Sequence, residues 1–228
     1  MNLKNITSRL IVALFLLAVN ILTASAAQDW TYGKHTNNFK FSGGNGSKTS
    51  PYLISNAQDL ADLAYLVSGK NNDVTGWYFK QTADIVLNDF EYDNDGNLVT
   101  TSLKEWTPIG KYGFFRDDDF EGIYDGDGHS VSGIYIGSNN QNNVYIGLFG
   151  SCEDAVVKDL TIKNVHIDVT SNVDDISTAM VGSVTGRATS STFTNVKVEN
   201  SNIAYSTQYS NTVCGGLAGR VDGNGHFT

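Results

Sequence analysis

The segment from residue 117 to residue 129 holds the chain's highest density of groups able to act as general acids or bases. These groups are Asp117, Asp118, Asp119, Glu121, Asp125, Asp127 and His129. Two carboxyl groups facing one sugar could protonate a glycosidic oxygen and activate water. However, residues 125–128 have the composition of a turn, and side chains along an alternating strand point to opposite faces. A carbohydrate-active enzyme is therefore the alternative prediction for this cluster, beside a solvated turn.

A second acidic segment, residues 91–96, matches the opening of a calcium-binding loop. Its carboxylates Glu91, Asp93 and Asp95 stand at positions 1, 3 and 5 of such a loop. Position 12 is Ser102, where an EF-hand requires a bidentate Glu. The three carboxylates are the candidate calcium ligands, and a solvated insertion is the alternative interpretation.

The histidines do not have the spacing of a zinc protease. A metallopeptidase of that kind needs His-Glu-x-x-His on one helix face, and no serine stands in a nucleophile elbow. The four histidines are His35, His129, His166 and His226. The sequence therefore predicts no catalytic residue, no cofactor and a protein that is not an enzyme.

The second half of the chain contains a repeated element, which must position the acidic groups and histidines that lie there. A glycine-flanked apolar phrase occurs three times, as IGLFG at 146–150, GSVTG at 182–186 and GGLAG at 215–219. The last glycines of the phrases, at 150, 186 and 219, are 36 and 33 residues apart. Recurrence at this spacing is typical of stacked repeats, in which each repeat is one supersecondary unit.

Alternating segments follow the first two phrases, VKDLTIKNVHI from Val157 and FTNVKVENSNI from Phe193. A period of two predicts half-buried strands. We align Ile134, Leu160 and Val196 as equivalents, so the repeats begin near residue 120. Short strands in repeats of about 20–40 residues favour an all-β parallel solenoid over a propeller, whose blades need about 40–45 residues.

The phrase glycines are predicted to be structural. They could adopt a positive φ at a corner between sheets, or allow close approach of one repeat's backbone to the next. They are Gly147, Gly150, Gly182, Gly186, Gly215, Gly216 and Gly219.

These phrases and the strands after them resemble the GLUG motif of bacterial secreted and surface proteins, although Ser183 departs from the pattern. The resemblance covers nearly all of residues 43–228 and includes Pro51–Ile54, Ala83–Leu87, Trp106–Gly110 and Phe120–His129. Such segments are similar to right-handed β-helical stalks of adhesin-like proteins and to the non-catalytic part of immunoglobulin A-cleaving metallopeptidases. The resemblance implies a right-handed parallel β-helix and a surface location rather than a reaction.

The segment before the repeats, residues 43–119, is predicted to be an N-terminal cap. Residues 56–67 place apolar side chains on one face, which predicts an amphipathic helix with Ser55 or Asn56 as N-cap and Gly69 at C′. The open end of a solenoid needs such a cover. Residues 27–42 are predicted to be a poorly ordered lead-in. The repeats fill 120–228, and we expect the array to be cut short at Thr228.

Residues 1–26 have the pattern of a secretory signal peptide. Lys4 and Arg9 precede a 13-residue apolar run, and Ala24-Ser25-Ala26 predicts cleavage before Ala27. The run is too short to span a bilayer, so we expect a secreted or cell-surface protein that is not integral to the membrane. A net charge of −9 disfavours nucleic acid and anionic lipid as partners.

Two cysteines, Cys152 and Cys214, are predicted to stay unpaired. They occupy different positions relative to the phrase glycines, and two repeats at a strand spacing of about 4.8 Å already exceed the reach of a disulfide.

Aromatic residues could stack on sugars from an exposed face or fill the core. The group considered is Tyr112, Phe114, Phe115, Phe120, Tyr124, Tyr135 and Tyr145.

We predict a non-enzymatic scaffold or adhesin-like surface module that binds an extracellular glycan or a host surface protein, with specificity in the loops 88–105 and 111–119. The alternatives are a carbohydrate-active enzyme using the cluster around Asp117–Asp127, and a stalk fragment of a larger secreted enzyme.

Overall fold

The computed structural model describes residues 26–36, 39, 41–70, 72–111, 118–137, 144–171, 178–207 and 211–228. All but the last residue of the predicted signal peptide lie outside this part of the chain. Within it are one α-helix, α1 (Ala57–Ala64), and fourteen strands. The strands are β1 (Tyr52–Ile54), β2 (Tyr78–Gln81), β3 (Ile85–Val86), β4 (Ile123–Asp125), β5 (Ser130–Ile136), β6 (Tyr145–Ile146), β7 (Phe149–Glu153), β8 (Val156–Ser171), β9 (Ala179–Gly182), β10 (Thr185–Thr189), β11 (Thr192–Thr207), β12 (Thr212–Gly215), β13 (Ala218–Asp222) and β14 (His226–Phe227).

These strands pair in parallel and form three sheets. The largest sheet has the order β1-β2-β4-β8-β11-β14, and β3 and β5 join it because β5 also pairs with β8. A second sheet contains β7, β10 and β13, and a third contains β6, β9 and β12. From β6 onward the chain visits the sheets in the same order each time. The predicted all-β class is confirmed, with parallel sheets and one short α-helix.

The register confirms the alignment of the glycine phrases. Thr185 pairs with Phe149 on one side and with Ala218 on the other. Ile109 forms a further parallel bridge to Phe149. The resulting column of glycines is Gly110, Gly150, Gly186 and Gly219. The segment around Trp106 is therefore an earlier copy of the phrase position.

One of the predicted strand equivalences is wrong. Val196 pairs with Leu160 as predicted, whereas Ile134 pairs with Val165. Ile134 follows the left-handed residue Gly133, and β8 has two such corners five residues apart, Asp159 and Asn164, so the alternating pattern fits after either corner. The structure places Gly133 opposite Asn164. A spacing argument from the alternating pattern alone therefore misplaces β5.

Close backbone approach explains six of the seven phrase glycines. A Cβ added to any of them would lie 2.1–2.6 Å from a backbone atom, whereas a Cβ on Gly216 would meet nothing within 4 Å. For example, a Cβ on Gly150 would lie 2.1 Å from the carbonyl oxygen of Gly110. None of the seven has a positive φ. The structural role predicted for these glycines thus takes the form of backbone contact.

Asparagine and aspartate, not the phrase glycines, bend the long strands. Asp159 and Asn164 on β8 have φ of 52° and 51°, and Asn195 and Asn200 on β11 have φ of 52° and 55°. The Asn195 side chain donates to Asp159 Oδ1 at 2.9 Å, and Asn200 donates to Asn164 Oδ1 at 3.3 Å. Short amide and carboxylate side chains tolerate this left-handed conformation better than other non-glycine residues. The corners of β8 and β11 are therefore stacked and hydrogen-bonded.

The parallel sheet begins long before residue 120. β1 pairs with β2, and β2 pairs with β4. Trp106 and Ile109 are fully buried in the same apolar cluster as Phe149 and Phe193. The predicted boundary between a cap over 43–119 and repeats over 120–228 therefore does not coincide with a break in the sheet or in the core.

The predicted helix over 56–67 is present but shorter. Asn56 is the N-cap, since its Oδ1 accepts the Asp59 N–H at 3.0 Å. α1 ends at Ala64, and Tyr65–Gly69 continue as a π-helical turn in which the Lys70 N–H donates to the Tyr65 carbonyl. The predicted apolar face is buried. No helix in the described segments is long and apolar enough to cross a membrane.

The first part of the predicted lead-in, residues 27–36, contacts the main sheet and the core. Gln28 donates its N–H to the Val86 carbonyl at 2.8 Å. Trp30 is 3% exposed, donates its indole N–H to the Leu87 carbonyl at 3.1 Å and packs edge-on against Trp106. A large apolar ring that completes the core holds this segment against β3.

The two cysteines lie in different sheets, as their positions in the repeats predict. Cys152 is buried on β7, Cys214 is exposed on β12, and both are free thiols.

Candidate functional site

Four carboxylates of the acidic cluster that the structure describes have four different side-chain partners. The partners are Lys111 for Asp118 (3.6 Å), Thr75 for Glu121, Lys158 for Asp125 and Lys80 for Asp127 (3.0 Å). His129 lies 3.6 Å from Asp84. Asp117 lies outside the described residues. Because Lys80, Asp125 and Lys158 face one another across β2, β4 and β8, this part of the cluster forms a ladder of alternating charge.

The calcium candidate Asp93 is occupied by its own turn. Its Oδ1 accepts the N–H groups of Asp95 and Asn97 at 3.0 and 2.8 Å, and its Oδ2 accepts the Asn97 side-chain amide at 3.0 Å. These hydrogen bonds, that from the Asn97 side chain first, lower the pKa of Asp93. Glu91, Asp93 and Asp95 do not assemble as ligands, since no group of three or more acidic, histidine or cysteine side chains in the described chain could hold a metal ion.

Residues 88–104 form a loop, hereafter the 88–104 loop, whose two ends are tied together. Asn88 Oδ1 accepts the Lys104 N–H at 2.8 Å, and Asn88 Nδ2 donates to the Lys104 carbonyl at 2.9 Å. The same amide donates to the Gly133 carbonyl on β5 at 2.8 Å. Tyr92 and Leu98 pair as an antiparallel bridge further along the loop. The loop is therefore a closed structure anchored on the main sheet.

A ladder of three side chains on the main sheet lies beside this loop. Tyr135 of β5 pairs with His166 of β8, and His166 pairs with Asn202 of β11. The loop and the ladder enclose a cleft of about 500 Å³, which we call the sheet-side cleft. Its lining residues are Gly96, Asn97, Leu98, Thr100, Leu103, Tyr135, His166, Asp168 and Asn202. This volume is within the range of small-ligand sites.

Four rings meet at this place. Tyr135 stacks on His166 with ring centroids 6.0 Å apart and planes inclined by 25°. Phe90 and Tyr92, from the loop, contact the same imidazole at 6.1 and 6.2 Å. Tyr92 is 45% exposed. The rings of Tyr135 and His166 therefore line the cleft, and Phe90 and Tyr92 pack against His166 beside it. Asn97, Thr100 and Asn202 add amide and hydroxyl groups to the lining.

The ring side chains at the cleft are uncharged at neutral pH. Burial lowers the pKa of His166, although the Asp168 carboxylate acts in the opposite direction. The Nδ1 atom of His166 is buried without a hydrogen-bond partner among the described residues. Burial raises the pKa of Tyr135, and the Glu105 and Asp168 carboxylates raise it further. The exposed carboxylate of Asp168 is thus the charged group that lines the sheet-side cleft.

A second cleft, the N-terminal cleft, shares Thr100 and Leu103 with the first and has a volume of about 600 Å³. Its lining residues are Ala27, Gln28, Asp29, Leu87, Asn88, Asp89, Glu91, Val99, Thr100, Thr101, Ser102, Leu103 and Lys104. The 88–104 loop thus borders both clefts.

The sequence analysis predicted specificity in the loop 88–105 but did not place the loop beside particular residues of the sheet. Of the predicted aromatic group, Phe120, Tyr124 and Tyr145 are buried and Tyr135 reaches the cleft; Tyr112, Phe114 and Phe115 lie outside the described residues. Phe90, Tyr92 and His166 were missed. The alternating pattern around His166 predicts a strand. It does not give the register that pairs His166 with Tyr135, because the turn at 126–129 shifts the pairing with β8 by two residues between β4 and β5.

Comparison with known proteins finds partial likeness to long relatives. Over 147 residues, 64% of this chain, it is 33% identical to a protein of Evansella cellulosilytica described as a Gly-rich membrane protein, and the match covers 14% of that protein. Over 139 residues, 60% of this chain, it is 29% identical to halomucin of Haloquadratum walsbyi, of which the match covers 1%. The chain thus spans a small fraction of the length of these curated relatives. No family model and no solved structure matches the chain significantly.

Proposed function

We propose that the chain is a right-handed parallel β-solenoid of the GLUG-motif kind. The main support is the recurrence of strands in three parallel sheets, in which Thr185 has a partner on each side in the phrase column. Stacked asparagine and aspartate corners on β8 and β11 add to it. Connections between parallel strands of one sheet are right-handed in about 98% of cases. Such a stack presents long regular faces for binding.

We further propose that this scaffold is a non-enzymatic, adhesin-like module that binds extracellular glycans in the sheet-side cleft. The observation that carries the proposal is the combination of ring faces with neutral hydrogen-bonding groups. Tyr135 lines the cleft, and the exposed ring of Tyr92 packs against His166 at its side, so both offer apolar faces on which a sugar ring can lie. Asn97, Thr100 and Asn202 offer donors and acceptors for sugar hydroxyls.

Charge narrows the class of glycan. The chain carries a net charge of −9, and Asp168 lines the cleft. Like charges facing each other weaken association, so neutral glycans fit this cleft better than uronic or sialic acids. The separate ion pairs of Asp118 and Asp127 favour binding over glycoside hydrolysis, which needs two carboxyl groups on one substrate.

We also propose export through the signal peptide at residues 1–26, with the mature chain secreted or held at the cell surface. The basic start, the apolar run and the small residues before Ala27 support it. The description of one relative as a membrane protein supports a place at the cell surface.

The test is a glycan array followed by calorimetric titration of the neutral oligosaccharide that binds best. Tyr92→Ala and Tyr135→Ala should each weaken binding by more than about 1 kcal/mol, a factor of about five in Kd, because truncating a central aromatic contact removes its buried area. Tyr78→Ala is the matched control for Tyr135→Ala, since both tyrosines are half-buried on the main sheet but only Tyr135 lines the sheet-side cleft.

Circular dichroism of each variant distinguishes lost contact from lost structure, and Tyr92 is exposed enough that its removal should leave the fold intact. Failure of the wild-type protein to bind any neutral glycan on the array would refute the proposal. An equal loss of affinity in Tyr78→Ala would also count against the sheet-side cleft.

A further inference from the structure

The N-terminal segment 27–30 contacts both ends of the 88–104 loop. The Ala27 N–H donates to Asp89 Oδ2 at 2.9 Å, next to the start of the loop. At the other end, Lys104 Nζ donates to Asp29 Oδ1 at 2.5 Å and to the Trp30 carbonyl at 2.9 Å. The segment therefore forms a strap across the base of the loop that borders the sheet-side cleft.

The nitrogen of Ala27 is held in place by its neighbours. The backbone N–H of Gln28 donates to the Val86 carbonyl at 2.8 Å. The side-chain Oε1 of Gln28 accepts the N–H of Ala57, the first residue of α1, at 2.7 Å. The buried indole of Trp30 fixes the segment two residues further on. The contact between Ala27 and Asp89 thus follows from packing around it.

Ala27 is also the first residue of the predicted mature chain. Cleavage hydrolyses the peptide bond between Ala26 and Ala27: water supplies a hydroxyl to the Ala26 carbonyl carbon and a proton to the Ala27 nitrogen. The released α-amino group has an ordinary pKa of about 7.7–8.0 and takes up a further proton at neutral pH. An amide with one N–H donor thereby becomes a cation with three.

We propose that signal-peptide cleavage completes the strap, because the new α-ammonium group of Ala27 forms an ion pair with Asp89 and restrains the 88–104 loop. The inference rests on the proposed export and concerns the loop of the proposed glycan site. Asp29, Asp89 and Glu91 all line the N-terminal cleft, so the cation enters acidic surroundings. Hydrogen bonds between charged groups are shorter and stronger than those between neutral groups. Together with Lys104 and Asp29, the new pair ties both ends of the loop to the strap.

The test compares the chain that begins at Ala27 with the chain that begins at Ser25, which moves the ammonium group two residues away from Asp89. Hydrogen exchange is measured at the amides of Glu91 and Lys104, which donate within the loop to Thr100 Oγ1 and Asn88 Oδ1. Exposed ion pairs contribute about 0.2–1 kcal/mol, so exchange in the Ala27 chain should be about 1.4-fold to fivefold slower.

The variant Asp89→Asn, made in both chains, should abolish the difference, and so should raising the pH above 9, where the α-amino group is neutral. Amides in the centre of β8 serve as the internal control and should exchange equally in all four proteins. The mass of the exported protein should correspond to a chain that starts at Ala27.

Equal exchange of the loop amides in the Ala27 and Ser25 chains would overturn the proposal, as would cleavage at another bond. Since the exchange measurement uses no ligand, its outcome does not depend on whether the sheet-side cleft binds glycans. Persistence of the difference in Asp89→Asn would show that another group restrains the loop.

Discussion

Replacing Gly186 with alanine tests the backbone contacts of the phrase column. The new Cβ would lie 2.5 Å from the Ile146 nitrogen, 2.6 Å from the Met180 carbonyl oxygen and 2.8 Å from the Tyr145 Cα. Real Cβ atoms essentially never come within 3.0 Å of a heavy atom outside their own residue and its two chain neighbours. Backbone atoms cannot rotate away as a flexible side chain can, so β10 must move from β6 and β9.

The cost follows from these three contacts. Overpacking a well-packed interior costs about 1–3 kcal/mol, and contact with backbone on two sides places Gly186→Ala at the upper end, about 3 kcal/mol. For a chain of this size, 1 kcal/mol corresponds to about 2–4 °C in Tm, so Tm should fall by about 6–12 °C.

Gly216→Ala is the matched control within the third phrase. A Cβ at Gly216 meets no atom within 4 Å, and its φ is not positive. Alanine there reduces the entropy of the unfolded chain, so stability should be unchanged or higher by up to about 1 kcal/mol. Thermal unfolding followed by calorimetry gives both values. A Tm of Gly186→Ala within about 2 °C of the wild type, or an equal fall in Gly216→Ala, would refute the reasoning.

Three further predictions concern single side chains. Cys214 should react with a thiol reagent in the folded protein, whereas Cys152, buried and with its pKa raised by that burial, should react only after unfolding. Since burial lowers the pKa of folded His166 below 6.5, the unfolded chain binds more protons there, and stability should fall as the pH drops below about 6.5. His166→Gln should make the Tm less sensitive to pH between 7 and 5; an unchanged slope would contradict this. Asn195→Ala should cost about 1–2 kcal/mol, because it strains a φ of 52° and removes the hydrogen bond to Asp159, whereas Asn195→Gly should avoid the strain. Equal Tm values for the two Asn195 variants would contradict the role of the left-handed corner.

The repeat could be predicted because its signal is both local and periodic. The glycine phrases placed Gly150, Gly186 and Gly219 in one column, and the alternating segments placed Val196 beside Leu160. The earlier copy at Trp106–Gly110 was assigned to a cap, since an insertion of irregular length separates it from the next phrase. Ile134 was misplaced by five residues, because its alternating segment fits after either of the two left-handed corners of β8, Asp159 and Asn164.

The candidate site was less predictable because it joins segments distant in sequence. Loop 88–105 was identified as a carrier of specificity, but its carboxylates suggested calcium, and Asp93 serves the turn instead. His166 looked like one polar residue on an alternating strand. Only the register shows that it lies between Tyr135 and Asn202, with Phe90 and Tyr92 against it.

The most direct measurement is an aromatic NMR titration of the protein with the neutral oligosaccharide that binds best on the array. Glycan binding in the sheet-side cleft predicts that the ring resonances of Tyr92, Tyr135 and His166 shift together and saturate at one Kd. The rings of Tyr78 and of the buried Phe193 should stay unchanged. Saturable shifts confined to residues outside the cleft, or no shift in these three rings while the glycan binds, would contradict the proposed site.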